Sequence, residues 1–135
     1  MIKLTPEKII KRYNRKKIDK EMCKALLISF LENSDRELER LKSIELLSNF
    51  EFTDLKDYEY FEQFFVSDGN SKIRLFAFDL IIKNYSVKAA DLITWTLDNE
   101  KSPDIIAGIL KGAVKYDPKR IRDFLIGELK TITNT

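Results

Sequence analysis

Between Ile73 and Lys83 the chain reads "IRLFAFDLIIK", and only an arginine, an aspartate and a lysine break its apolar surface. A helix at the edge of a domain needs one apolar stripe, whereas a helix that is apolar almost all round has to be enclosed by others on several sides. The polar turn "SDGNS" precedes it, and "YEYFEQFFV" precedes the turn, after a connector whose Asp54 or Asp57 can cap. The enclosed helix is therefore the second member of a helical hairpin spanning about residues 57–85.

The same alternation occurs on either side. Residues 19–50 hold "DKEMCKALLISFLEN" and "RELERLKSIELLSNF", with Ser34 or Asp35 as the expected N-cap between them. Residues 87–116 hold "VKAADLITWTLDN" and "DIIAGILKGAVKY", with Ser102 as cap and Pro103 at the first helical position. Two flanking helices are expected: 5–14, signalled by Thr5, Pro6 and Glu7, and 118–132, signalled by Asp117 and Pro118. No segment alternates as a strand would.

Laid over one another, the hairpins match as repeats. At an offset of 31, Phe64 falls on Trp95, Val66 on Leu97, Asp68 on Asn99, Ser71 on Ser102 and Tyr85 on Tyr116. At an offset of 34, Arg40, Ser43 and Leu47 fall on Arg74, Ala77 and Ile81. Internal periodicity of this length is the signature of a solenoid of helix pairs.

The turn "SDGNS" followed by "KIRLFAFDLI" resembles the D-x-x-x-x-[VI]-R-x-x-A-x-x-x-[LI] core of HEAT-like repeats, and residues 19–116 are similar to short archaeal HEAT-repeat proteins. The resemblance implies an all-α, right-handed α-solenoid of about three hairpins, with capping helices at both ends of a single domain, residues 1–135. It also implies that Arg74 and the turn aspartate Asp68 belong to a ladder between repeats. Two features depart from the family: the spacing is short, and Ile105 stands where the third repeat should carry its arginine.

Composition narrows the chemistry. The chain contains no histidine, which removes His-based triads, His general bases and zinc patterns that need imidazole. Its single cysteine, Cys23, cannot form an intrachain disulfide and fits a small buried apolar position. No apolar run reaches membrane-spanning length, and the N-terminal segment lacks the apolar core of a signal peptide, so a cytoplasmic protein without a membrane partner is expected. Charge is uneven: residues 1–20 hold eight basic against two acidic residues, and residues 21–67 five against eleven.

Several residues carry competing readings. Arg74 can lay its methylenes along the core and send its guanidinium to turn carbonyls, to Asp68, or to an acidic cap of the next repeat; the alternative is an anion site. Arg40, in an end repeat, is expected to have looser surroundings. Trp95, in the column of Phe64, reads as a core anchor, with stacking on a nucleic-acid base as the alternative. Gly108 and Gly112, with Ala113, make a smooth face for close approach by the last helix or by a partner. Lys8, Arg12 and Arg15 share one face of the first helix, and Lys11 and Lys16 extend the basic patch. That patch is either a solvated outer face or a contact for nucleic acid or an acidic partner.

The functional expectation is a non-enzymatic scaffold, monomeric or weakly dimeric and without metal or cofactor, that binds a protein or peptide on the concave face formed by the second helices. Lys42, Glu45, Asp79, Lys83, Lys111 and Lys115 are the candidate contacts. The alternative is a nucleic-acid-binding module using the basic first helix. The enzymatic rival, a HEAT-like DNA glycosylase, requires a catalytic aspartate flanked by aromatics, and no position here matches that motif.

Overall fold

The computed structural model describes residues 3–116 together with 119, 122, 123, 126 and 127. Its helices are α1 (Pro6–Asn14), α2 (Lys20–Asn33), α3 (Glu37–Leu47), α4 (Leu55–Ser67), α5 (Ser71–Asn84), α6 (Ser86–Asn99) and α7 (Pro103–Tyr116). The fold is all-α, with no strand among the described residues. The expected helix over 118–132, with its Asp117 and Pro118 signals, lies largely outside the described residues.

The caps explain most of the boundaries. Thr5 Oγ1 accepts from the Lys8 amide at 3.3 Å with Pro6 at the first helical position. Asp19, Asp54 and Asn70 accept from the amides of Met22, Lys56 and Ile73 at 2.7, 2.9 and 3.0 Å. Each satisfies an orphan donor of a helix N-terminus. The start of α3 differs from expectation. Arg36 is its N-cap and makes no side-chain capping bond, while Ser34 closes α2 as its C-cap. The Ser34 hydroxyl accepts from the nearer Arg36 amide, at 3.1 Å, and donates to the Glu39 carboxylate in the first turn of α3 at 3.3 Å, so it caps no amide of that turn.

α5 packs against α3, α4, α6 and α7, which accounts for its apolar circumference. Ile73, Ala77, Phe78, Leu80, Ile81 and Ile82 are all buried on it. Around it lie Ile44 and Leu47 of α3, Phe61 and Phe65 of α4 and Ile105 and Ile109 of α7, each fully buried. The second helices α3, α5 and α7 touch in series. The backbones of the first helices α2, α4 and α6 do not approach one another: α2 packs on α1 and α3, α4 on α5, and α6 on both α5 and α7.

The turns fix the register between hairpins. Ser34, Asp68 and Glu100 are the successive C-caps of α2, α4 and α6. The step is 34 residues and then 32, not 31. The equivalent of Asp68 is thus Glu100 rather than Asn99, and α7 carries Ile106, not Ile105, in the place of Arg40 and Arg74. Buried Phe64 aligns with buried Thr96, which leaves Trp95 opposite exposed Gln63.

Two arginines tie these turns together. Arg40 Nε donates to the Leu31 carbonyl at 2.9 Å, and its Nη2 pairs with Asp68 of the next turn. Arg74 repeats this, with Nε donating to the Phe65 carbonyl at 2.7 Å and Nη2 pairing with Glu100. Asp68 and Glu100 also accept from the backbone amide two residues on, Asn70 at 2.9 Å and Ser102 at 3.1 Å. Each acid is thus fixed by its own turn before it meets the arginine. Arg40, expected in looser surroundings, is bound as fully as Arg74.

The connector between α3 and α4 is held from three sides. Phe50 and Phe52 are buried in it. The Phe52 amide donates to Asn84 Oδ1 at 3.0 Å, Tyr85 Oη donates to the Asp54 carbonyl at 2.6 Å, and buried Lys24 donates to the Glu51 carbonyl. The Lys24 ammonium also sits 4.4 Å from the centroid of Phe52. Burial pushes the Tyr85 phenol up to about 12, so it remains a donor.

Candidate partner-binding surfaces

The layer α3–α5–α7 carries the six residues proposed from sequence. Glu45, Asp79, Lys83, Lys111 and Lys115 are exposed, and Lys42 is half-buried. They are not equally available to a partner. Lys83 Nζ reaches back to the Ser48 carbonyl at 3.3 Å, where a cation suits the C-terminal end of α3. Burial pushes the carboxyl of Asp79 above its ordinary range, and the charge of Lys115 opposes that rise. Asp79 therefore sits low between α5 and α7 although much of its surface meets water.

Gly108 and Gly112 explain how that carboxylate is accommodated. A Cβ at Gly108 would lie 2.5 Å from Leu75 Cδ2, and one at Gly112 would lie 3.4 Å from Asp79 Oδ1 and 3.5 Å from Phe78 Cε1. The smooth face expected to receive the last helix or a partner instead receives α5. Side-chain-free backbone on α7 lets the enclosed helix approach closely.

The basic patch of α1 is continuous. Lys8, Lys11, Arg12 and Arg15 line a hollow of ≈ 470 Å³ with Lys17 and Ile18. On the opposite side Ile9 is fully buried, and Tyr13 packs on Phe50 with ring centroids 5.3 Å apart. Lys8 Nζ donates to the Lys3 carbonyl at 2.7 Å. Lys16 adopts a left-handed φ of 60° just after the helix and is exposed.

Trp95 overturns its sequence reading. It is 46% exposed rather than a core anchor, because the 32-residue register gives the buried column to Thr96. With Tyr58, Glu62 and Val66 of α4 and Lys88 and Asp91 of α6, it lines a groove of ≈ 400 Å³. Sequence reasoning missed this groove through a one-residue slip between aromatic look-alikes. The i, i+4, i+8 spacing of Tyr58, Glu62 and Val66 could have shown it.

Cys23 is buried, and that burial pushes its thiol up, away from nucleophilic chemistry. Among the described residues no group of three or more Asp, Glu, Cys or His side chains could hold a metal ion, and no helix is long and apolar enough to cross a membrane. Set against protein-family models, curated proteins and solved structures, the chain finds no match in any of the three.

Proposed function

We propose that the chain is a HEAT-like α-solenoid of three helix pairs that acts as a non-enzymatic scaffold, binding a protein or peptide along α3, α5 and α7. The observation that carries this reading is the layering. The second helices touch in series while the backbones of the first helices stay farther apart, a difference that favours a stack curved with the second helices inside. The repeated arginine–acid rungs, Arg40 with Asp68 and Arg74 with Glu100, support a regular repeat. The inner layer presents both signs of charge, Glu45 and Asp79 beside Lys111 and Lys115, which suits a polypeptide better than a phosphate backbone.

The test is recovery of one identified partner by the native protein and by two variants. Glu45→Lys with Lys111→Glu is expected to reduce recovery sharply, and Lys11→Glu with Arg12→Glu is expected to leave it unchanged. The converse pattern would remove the reading. One observation favours nucleic acid as a second reading, the continuous basic hollow on α1. Binding of duplex or single strands that weakens steeply with salt, and is lost in the Lys11→Glu, Arg12→Glu variant, would establish it instead.

A further inference from the structure

The groove between α4 and α6 lies on the other helical layer, and nothing in the scaffold reading uses it. Its floor is apolar and its rim is acidic. Val66 and Trp95 are 43% and 46% exposed, a large apolar area for side chains that line the same hollow. Glu62 accepts a hydrogen bond from Tyr58 Oη; burial chiefly, and then Glu62, push the Tyr58 phenol upward, and Asp91 across the groove adds a little to this. Exposed Glu59 and Asp98 add negative charge on the same two helices. The groove already holds one cation of its own: Lys88 Nζ stands 5.0 Å from the centroid of Tyr58.

These observations share one chemistry. An ammonium against an aromatic face, with carboxylates beside it, is how a Lys or Arg side chain is received. Trp95 offers a second aromatic face farther along, with Val66 beside it for an aliphatic anchor. We infer that the α4–α6 groove is a docking site for a cationic amphipathic helix of a partner protein, its apolar side laid on Trp95 and Val66 and its Lys or Arg side chains beside Asp91 and Glu62. Lys88, Asp91 and Trp95, at i, i+3 and i+7, share one face of α6 and so form one continuous wall of the groove. A polyanion is disfavoured by the same carboxylates.

Trp95 is the only tryptophan of the chain, so its emission reports on the groove directly. The probe is a short tryptophan-free amphipathic peptide of lysine and leucine, titrated into the full chain. The expected result is a saturable change in Trp95 emission, absent with the matching glutamate–leucine peptide. Asp91→Lys is expected to weaken binding by roughly tenfold and Lys88→Glu to strengthen it. Loss of fold cannot produce opposite signs. Lys111→Glu with Lys115→Glu on the other layer is expected to change nothing, which separates this inference from the scaffold reading. An unchanged emission, an equal response to the glutamate–leucine peptide, or an affinity indifferent to Asp91→Lys overturns the inference. So does self-association that occurs without peptide and disappears in Trp95→Ala, which would give the groove to a second copy of the chain.

Discussion

Arg74 donates through Nη2 to the carboxylate of Glu100, twenty-six residues further along, while its Nε holds the Phe65 carbonyl of its own hairpin. One planar guanidinium thus satisfies the end of α4 and clamps the following turn. Arg40 does the same with Leu31 and Asp68. The side chains are largely desolvated, 16% and 11% exposed for Arg74 and Glu100, 21% and 4% for Arg40 and Asp68. At that burial, removing one partner strands a charge and carbonyl acceptors together.

Arg40→Ala and Arg74→Ala are each expected to destabilise the fold by about 2–3 kcal/mol, with similar urea midpoints. Double-mutant cycles refine this. Arg74→Ala with Glu100→Ala, and Arg40→Ala with Asp68→Ala, should each show coupling of about 1–2 kcal/mol, while Arg40→Ala with Glu100→Ala should be additive. Strong coupling across that last pair would mean the rungs are not separate interactions.

Glu100 links the second rung to pH. Hydrogen bonding by Arg74, chiefly, holds its carboxyl below the ordinary 4.5; burial works against this, and the backbone bonds from Ser102 and Lys101 add to it. A depressed folded value means that the contribution to stability is complete above the ordinary glutamate range and is lost as pH falls through the folded value. Glu100→Gln should therefore be less stable than the native chain at pH 7, with the gap closing in acid. A gap that stays constant from pH 7 to pH 3 would show that the carboxylate's charge contributes nothing.

How far these relationships could be read beforehand depends on their range. The helices follow from local signals such as Thr5, Asp19 and Ser102, and the enclosure of α5 follows from the lack of a polar face between Ile73 and Ile82. The arginine rung is partly legible, since a half-buried guanidinium needs an acceptor. Its partner is not, because Asn99 and Glu100 differ by one step of register and only the turn geometry decides between them. The same step misplaces Trp95. Lys24, Asn84 and Tyr85 hold the connector through backbone atoms of Glu51, Phe52 and Asp54, and such bonds leave no residue-type signature. Lys83 reads as a free surface cation because its acceptor, the Ser48 carbonyl, lies thirty-five residues away.

The two glycines of α7 should respond differently to alanine. At Gly112 the nearest atoms to a new Cβ stand at ordinary contact, 3.4 and 3.5 Å, so Gly112→Ala should gain most of the helix-propensity difference, about 1 kcal/mol. At Gly108 the new methyl would meet Leu75 at 2.5 and 2.8 Å, and the leucine must move. Gly108→Ala is expected to be neutral or destabilising, and Leu75→Ala in the same chain should restore the gain. Thermal midpoints of the three variants check this; equal stabilisation at both glycines would contradict the close approach of α5.

The end of α1 offers a cleaner test of backbone geometry. The Lys17 amide donates to the Arg12 carbonyl at 2.8 Å and the Lys16 amide to the Tyr13 carbonyl at 3.0 Å, the bond pair of a Schellman termination. That termination requires a left-handed residue, and Lys16, with φ of 60°, occupies the position usually given to glycine. A side chain there crowds its own carbonyl, a strain of roughly 1–2 kcal/mol that glycine avoids at some cost in unfolded-state entropy. Lys16 is exposed, so no packing is lost on truncation. Lys16→Gly should accordingly raise stability by about 0.5–1 kcal/mol, and Lys16→Ala, which removes the same charge but keeps a Cβ, should not. Comparing the urea midpoints of the two variants separates backbone strain from relief of charge repulsion in the basic patch. Equal stabilisation by alanine and glycine would assign the effect to charge.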